Sequence, residues 1–211
     1  MKSAYIVSGL RTAVGKAKKG GFRFVRPDDL AANVIKSLVK KTKGLEGIMV
    51  DDLIVGNAVP EAEQGMQMAR YISLLSLPKE VPGLVINRYC GSGLEAIHLA
   101  CAKINAGSAE CVIAGGTESM SMVPMTGYKS ALNYNISVNN PDYYLNMGLT
   151  AEKLAKKYDI KREDSDLFSF NSHMKATKAI EDNIFKKEIL PYDVEQVYLE
   201  NGKRKTKKWT V

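Results

Sequence analysis

A layered α/β fold is predicted for the chain by three features of its first half. Short apolar runs of roughly four to six residues read as buried strands, helical patterns alternate with them, and glycines or Asx residues close the elements. The opening run Ala4 to Val7 reads as a first buried strand. The glycine- and cation-rich segment after it, RTAVGKAKKGGFR, reads as a loop. A helix is expected from Pro27-Asp28-Asp29, because Leu30, Ala31, Val34, Ile35, Leu38 and Val39 recur at helical spacing and acidic residues suit a helix N-terminus. Asp52 to Gly56 is a short buried strand, and Met66 to Leu75 a helix ended by Pro78. Leu84 to Asn87 is the next strand and runs into Cys90-Gly91-Ser92-Gly93. Leu94 to Ile104 is helical up to Asn105-Ala106-Gly107, and Cys111 to Ala114 forms a strand closed by Gly115 and Gly116. Strands and helices alternating in this way imply parallel βαβ units.

The character changes near residue 120, which divides the chain into an α/β core domain over 1–120 and a helical, loop-rich domain over 121–211. Met120, Met122 and Met125 lie in a loop-like stretch, and Asn, Tyr, Ser and Pro dominate 127–146. Helices follow over Thr150 to Tyr158 and from Arg162 past Ile180, with no strand between them. The tail from Glu188 is polar and basic, and Lys203 to Lys208 is its extreme. A charge run of this kind reads most simply as solvated loop.

Composition bounds the function classes. With 211 residues, 45% hydrophobic and 25% charged, the chain has ordinary globular proportions, which exclude disorder, collagen-like repeats and a membrane bundle. No stretch approaches the roughly 18 apolar residues of a membrane span. Lys2 before an apolar run resembles the start of a signal peptide, but Arg11 interrupts the run too early and no cleavage site follows. Three cysteines, Cys90, Cys101 and Cys111, are too few and too odd in number for a disulfide scaffold. They suit a reducing compartment, so a cytoplasmic location is expected.

Cys90 carries the functional reading. It ends a buried strand and opens a helix, and Gly91 and Gly93 on either side of Ser92 keep bulk away so that a carbonyl can approach the sulfur. Unpaired N–H groups and the macrodipole at a helix N-terminus favour a thiolate, and the sharp turn shares the physical logic of a nucleophile elbow. The competing reading is a small buried hydrophobe, the common fate of a free cysteine. The spacing alone leaves both open. His98 is eight residues along the same helix, about 12 Å of rise, too far to serve as a base. It reads as a packed helix residue, and His173 as a surface or structural one. A base must come from elsewhere.

Several long segments then resemble the thiolase family, the acetyl-CoA acetyltransferases and 3-ketoacyl-CoA thiolases. VINRYCGSGLEAIHLACAKINAG and AECVIAGGTESMSMVPM are similar to its nucleophile region. IVSGLRTAVGKAKKGGFR, GNAVPEAEQGMQMAR, NMGLTAEKLAKKYDIKREDSDLFSFNSHMKA and FKKEILPY agree in order across nearly the whole chain. The resemblance implies a thiolase-like α/β/α core with a helical, loop-rich insertion domain. It also implies that Cys90 is the acyl-accepting nucleophile, attacking a 3-ketoacyl-CoA to release acetyl-CoA and passing its acyl group to a second CoA, or running the reverse condensation. Coenzyme A is then a substrate, and neither a bound cofactor nor a metal ion is expected. The family's Gly-His-Pro histidine and its Cys-x-Gly second cysteine do not occur in these residues. The chain is therefore expected to be an N-terminal portion, inactive by itself. Cys101 and Cys111 match packing positions of the family and are not that second cysteine.

Asn146-Met147-Gly148 matches the segment lining the family's substrate and pantetheine channel, which makes Met147 the expected CoA-binding residue, with core packing as its alternative. Biosynthetic acetoacetyl types carry His-Met-Gly there, so Asn146 tilts the reading towards a broader 3-ketoacyl-CoA thiolase. By the same resemblance 121–211 is a partial loop domain covering CoA, where Lys203 to Lys208 would steer phosphates. The +7 charge also raises nucleic acid as a partner, but no nucleic-acid motif accompanies it, and none is expected. Self-association as a dimer or tetramer follows from the family. The alternatives are a non-catalytic acyl-CoA- or lipid-binding relative, an inactive fragment, or, less readily, a 3-ketoacyl synthase.

Overall fold

The computed structural model describes residues 3–211. Its first helix, α1 (Pro27–Lys41), begins with proline at a position that needs no amide donor and places Asp28 and Asp29 in its first turn. Asp28 is buried, and Arg26 Nη2 donates to its carboxylate at 2.9 Å. Strand β1 (Asp52–Gly56) is buried along its whole length. Helix α2 (Met68–Ser76) leads to β2 (Gly83–Ile86), helix α3 (Ser92–Asn105) to β3 (Val112–Gly116). The three strands form one parallel sheet in the order β2-β1-β3, as the alternation of strand and helix requires.

Side-chain alternation along β1 builds three layers. Leu53 and Val55 pack with Ala32 and Ile35 of α1 and with Met68, Ala69 and Ile72 of α2. Ile54 points to the other face, against Ala96 and Ala100 of α3. An ion pair between the Lys103 ammonium and the Asp52 carboxylate joins the end of α3 to the start of β1. These elements match the sequence expectations to within a few residues.

Two expectations are corrected. Ala4 to Val7 forms no strand, and Tyr5, Ile6 and Val7 are 81–83% exposed. A cavity of about 510 Å³ separates this segment from Cys111 to Ala114 at the open edge of β3. An apolar run specifies burial but not a hydrogen-bonding partner, and no ladder forms here. The basic tail is not a loop. It is an antiparallel hairpin of β4 (Asp193–Glu200) and β5 (Lys203–Thr210). Asn201 and Gly202 connect the strands with φ of 51° and 73°, the left-handed pair that a tight hairpin turn demands.

The chain forms two compact units, Met1–Tyr128 with Glu188–Val211, and Lys129–Lys187. Their outline differs from a single break at residue 120, because the hairpin returns to the first unit. Val194 packs with Phe22 and Val25, with Trp209 and Val211 beside them. Arg11 N–H donates to the Glu188 carbonyl at 2.9 Å, and Leu190 N–H to the Arg11 carbonyl at 2.8 Å. The second unit holds α4 (Tyr134–Asn139), α5 (Met147–Tyr158) and α6 (Arg162–Glu181). Asn133 caps α4 and Asn146 caps α5, the latter accepting from Leu149 N–H at 2.9 Å. No helix among the described residues is long and apolar enough to cross a membrane.

Candidate active site

The C-terminal ends of parallel strands leave a crevice where loops can display functional groups. In this sheet β1 ends at Gly56, β3 at Gly116, and β2 runs through Asn87 into the turn that carries Cys90. The N-terminus of α3 sits directly on the sheet. A methyl group at Gly56 would lie 2.4 Å from the Ser92 backbone, and one at Gly116 would lie 3.0 Å from the Gly56 carbonyl oxygen. Only residues without a side chain allow so close an approach. The helix terminus is thereby fixed under the cysteine.

The turn itself is tight. Gly91 N–H donates to the Arg88 carbonyl at 3.0 Å and Ser92 N–H to the Tyr89 carbonyl at 3.0 Å. Tyr89 holds a left-handed φ of 46°, uncommon for a bulky side chain. Cys90 is exposed, and an ion pair of Arg88 with Glu95 at 3.3 Å flanks it. The other two thiols are only partly accessible. Cys111 packs against the main core. Burial pushes its thiol pKa up, and the nearby Asp51 carboxylate adds to the effect. Reactivity tracks the thiolate, so the surroundings separate Cys90 from Cys111.

A polar network braces the strand ends. Gln64, fully buried, donates to Glu118 Oε1 at 2.5 Å and to the Val59 carbonyl at 2.8 Å, while its own oxygen accepts from Ser119 N–H at 2.6 Å. Glu118 Oε2 accepts from Ala58 N–H at 2.7 Å. Asn57 donates to the Thr117 carbonyl at 2.9 Å. Spacing alone could not find these residues, since apart from Val59 their partners lie more than fifty positions away.

The expected site residues fall in different units. Cys90 belongs to the α/β unit, whereas Met147 opens α5 in the second and is 65% exposed. Met147 is therefore not a core-packing residue within its own unit. His98 is exposed on α3, contrary to the packed position expected from its apolar neighbours, because Ile97 and His98 both turn to the outer face of the helix. His173 is exposed on α6. Within the basic run, Lys205 pairs with Glu200 and Lys208 with Glu195 across the hairpin. Lys207 lies 5.9 Å from the Trp209 ring centre.

A parallel sheet flanked by helices, with an exposed cysteine on a glycine-seated strand-to-helix turn, defines an α/β protein of layered architecture. The chain belongs to the thiolase family. The family model described as "Thiolase, N-terminal domain" matches residues 4–208. A 3-ketoacyl-CoA thiolase of Bacillus subtilis (strain 168) is 52% identical over 195 residues, which are 92% of this chain and 50% of that protein. Proteins of the same name from Enterobacter sp. (strain 638) and Aliivibrio salmonicida (strain LFI1238) are each 39% identical. They are matched over 93% and 90% of this chain, and over 52% and 49% of their own lengths. The chain spans about half the length of these relatives.

Proposed function

We propose that this chain supplies the nucleophile of an acyltransferase that cleaves 3-ketoacyl-CoA thiolytically, or runs the reverse Claisen condensation. The supporting observation is the exposed Cys90 thiol, standing on the helix terminus of α3 within a family-matched segment. The thiolate adds to the 3-keto carbon, and the bond between carbons 2 and 3 breaks. Acetyl-CoA leaves as its enolate and takes up a proton, while the acyl group stays on sulfur as a thioester. The thiol of a second CoA then displaces Cys90 and carries the acyl group away. The base and the proton carrier are not assigned to His98, His173, Cys101 or Cys111. His98 is separated from the nucleophile along one rigid helix, and burial, with the Asp51 carboxylate beside it, pushes the Cys111 thiol pKa up.

Asn146 before Met147, together with relatives named as 3-ketoacyl-CoA thiolases, favours substrates broader than acetoacetyl-CoA. Met147 contributes to the CoA channel, and Lys203 to Lys208 draw its phosphates only through cations not already paired across the hairpin. The protein acts in the cytoplasm as a self-associated species, without nucleic acid. In a chain carrying the full family length, Cys90→Ala should abolish thiolysis of acetoacetyl-CoA, while the 211-residue chain alone should not turn it over. Activity retained by Cys90→Ala would overturn the reading.

A further inference from the structure

Cys90 is exposed and the structure records no hydrogen bond to its sulfur among the described residues, so the backbone of the turn sets the direction of its Cα–Cβ bond and the region the thiol can sweep. That backbone contains a conformation unfavourable to its own residue. Tyr89, an aromatic that is 75% exposed, holds φ at 46°. Its ring therefore gains little from burial that would offset the left-handed geometry, and something else must hold it.

Two side chains do so. Ser92 is only 4% exposed. Its hydroxyl accepts from Arg88 N–H at 2.8 Å and donates to the Tyr89 carbonyl at 2.6 Å, bridging the peptides on either side of the strained residue. Asn87 Oδ1 accepts from Tyr89 N–H at 2.8 Å, and its amide donates to the Ala58 carbonyl at 3.0 Å, anchoring the turn to the segment after β1. Both the amide and the carbonyl of Tyr89 are thus held by side chains, one before the cysteine and one after it. We propose that Ser92 and Asn87 are positioning residues that hold Tyr89 left-handed and so aim the Cys90 thiol away from the sheet. Without them Tyr89 relaxes to negative φ, and the rotation swings Cys90 out of the reactive geometry. The inference rests on Cys90 being the nucleophile.

The test is the site-resolved rate of carbamidomethylation of the 211-residue chain by iodoacetamide across neutral pH. Cys101 and Cys111 serve as internal gauges of unfolding. In the unaltered protein Cys90 labels first. Ser92→Ala should slow Cys90 roughly tenfold and Asn87→Ala roughly threefold, the scale of one or two lost hydrogen bonds, with Cys101 and Cys111 unchanged. Adding Tyr89→Gly to Ser92→Ala should restore most of the Cys90 rate, because glycine adopts the left-handed conformation freely. A merely structural role for Ser92 would not be rescued that way. If Ser92→Ala opens all three thiols, the exposed Asn87 decides, since its substitution leaves the core untouched. A Cys90 preference that survives both alanine variants, or a slow Ser92→Ala variant that glycine fails to rescue, overturns the proposal. Equal labelling of the three thiols in the unaltered protein would instead overturn the nucleophile reading, and the positioning role with it.

Discussion

The α/β unit and the unit of residues 129–187 use apolar residues in opposite ways. Leu53, Ile54, Met68 and Ile72 are 0–1% exposed, and they join strands and helices into two cores, one on each face of the sheet. Helices α5 and α6 bury no residue at all. Phe168 is 78% exposed, Phe170 60% and Met174 54%. Local devices organise these helices instead. Asn146 caps α5, and Arg162–Asp166 and Lys178–Asp182 pair one turn apart along α6, pairs worth a few tenths of a kcal/mol each. The turn that carries Cys90 stands on cores the α/β unit builds from its own residues.

Truncation separates the two regions most sharply. Ile54→Ala should destabilise the α/β unit by about 3 kcal/mol through lost burial and a cavity beside Ala96 and Ala100, read as a lowered denaturant midpoint. Phe168→Ala on α6 should change stability by less than about 0.5 kcal/mol. Comparable losses at the two positions would show that the helical unit owns a core of its own. A smaller effect concerns acid. Backbone amides of Glu110 and Cys111 donate to Asp51 at 2.6 and 3.0 Å, and these bonds hold its carboxyl below the ordinary carboxylate range. A lowered folded pKa means the bonds contribute fully above the unfolded value and fade as pH falls through the folded one. Asp51→Asn should therefore reduce stability slightly at neutral pH and flatten its decline below pH of about 4. Identical acid profiles would exclude Asp51 as a contributor.

What was legible in the sequence follows the same divide. The strands 52–56, 83–86 and 112–116 and the helices between them announce themselves by apolar runs and helical spacing, although only the first is buried along its length and the other two are largely half-buried. The strand-to-helix turn at Cys90 was legible too, since an apolar run ends there in Cys90-Gly91-Ser92-Gly93 and a helical pattern follows; the close approach that seats it lies at Gly56 and Gly116, far away in sequence. The left-handed Tyr89 was not, because a tyrosine there carries no local sign of positive φ, and the side chains that hold it act through contacts rather than periodicity. The hairpin 193–210 did carry a signal, Asn201-Gly202, but Lys203 to Lys208 reads as a charge run unless each lysine is paired with the opposite strand. Ala4 to Val7 has the composition of a strand, yet composition names no partner.

Acylation of Cys90 is tested most directly by protection. A chain carrying the full family length is incubated with acetoacetyl-CoA, stripped of free ligand, and then alkylated with iodoacetamide before peptide mapping. A thioester at Cys90 predicts that this residue alone loses its label while Cys101 and Cys111 label as before, and that hydroxylamine restores it. Cys90 labelling unchanged by the acyl-CoA, or protection shared equally by all three cysteines, would contradict its role as the acyl acceptor.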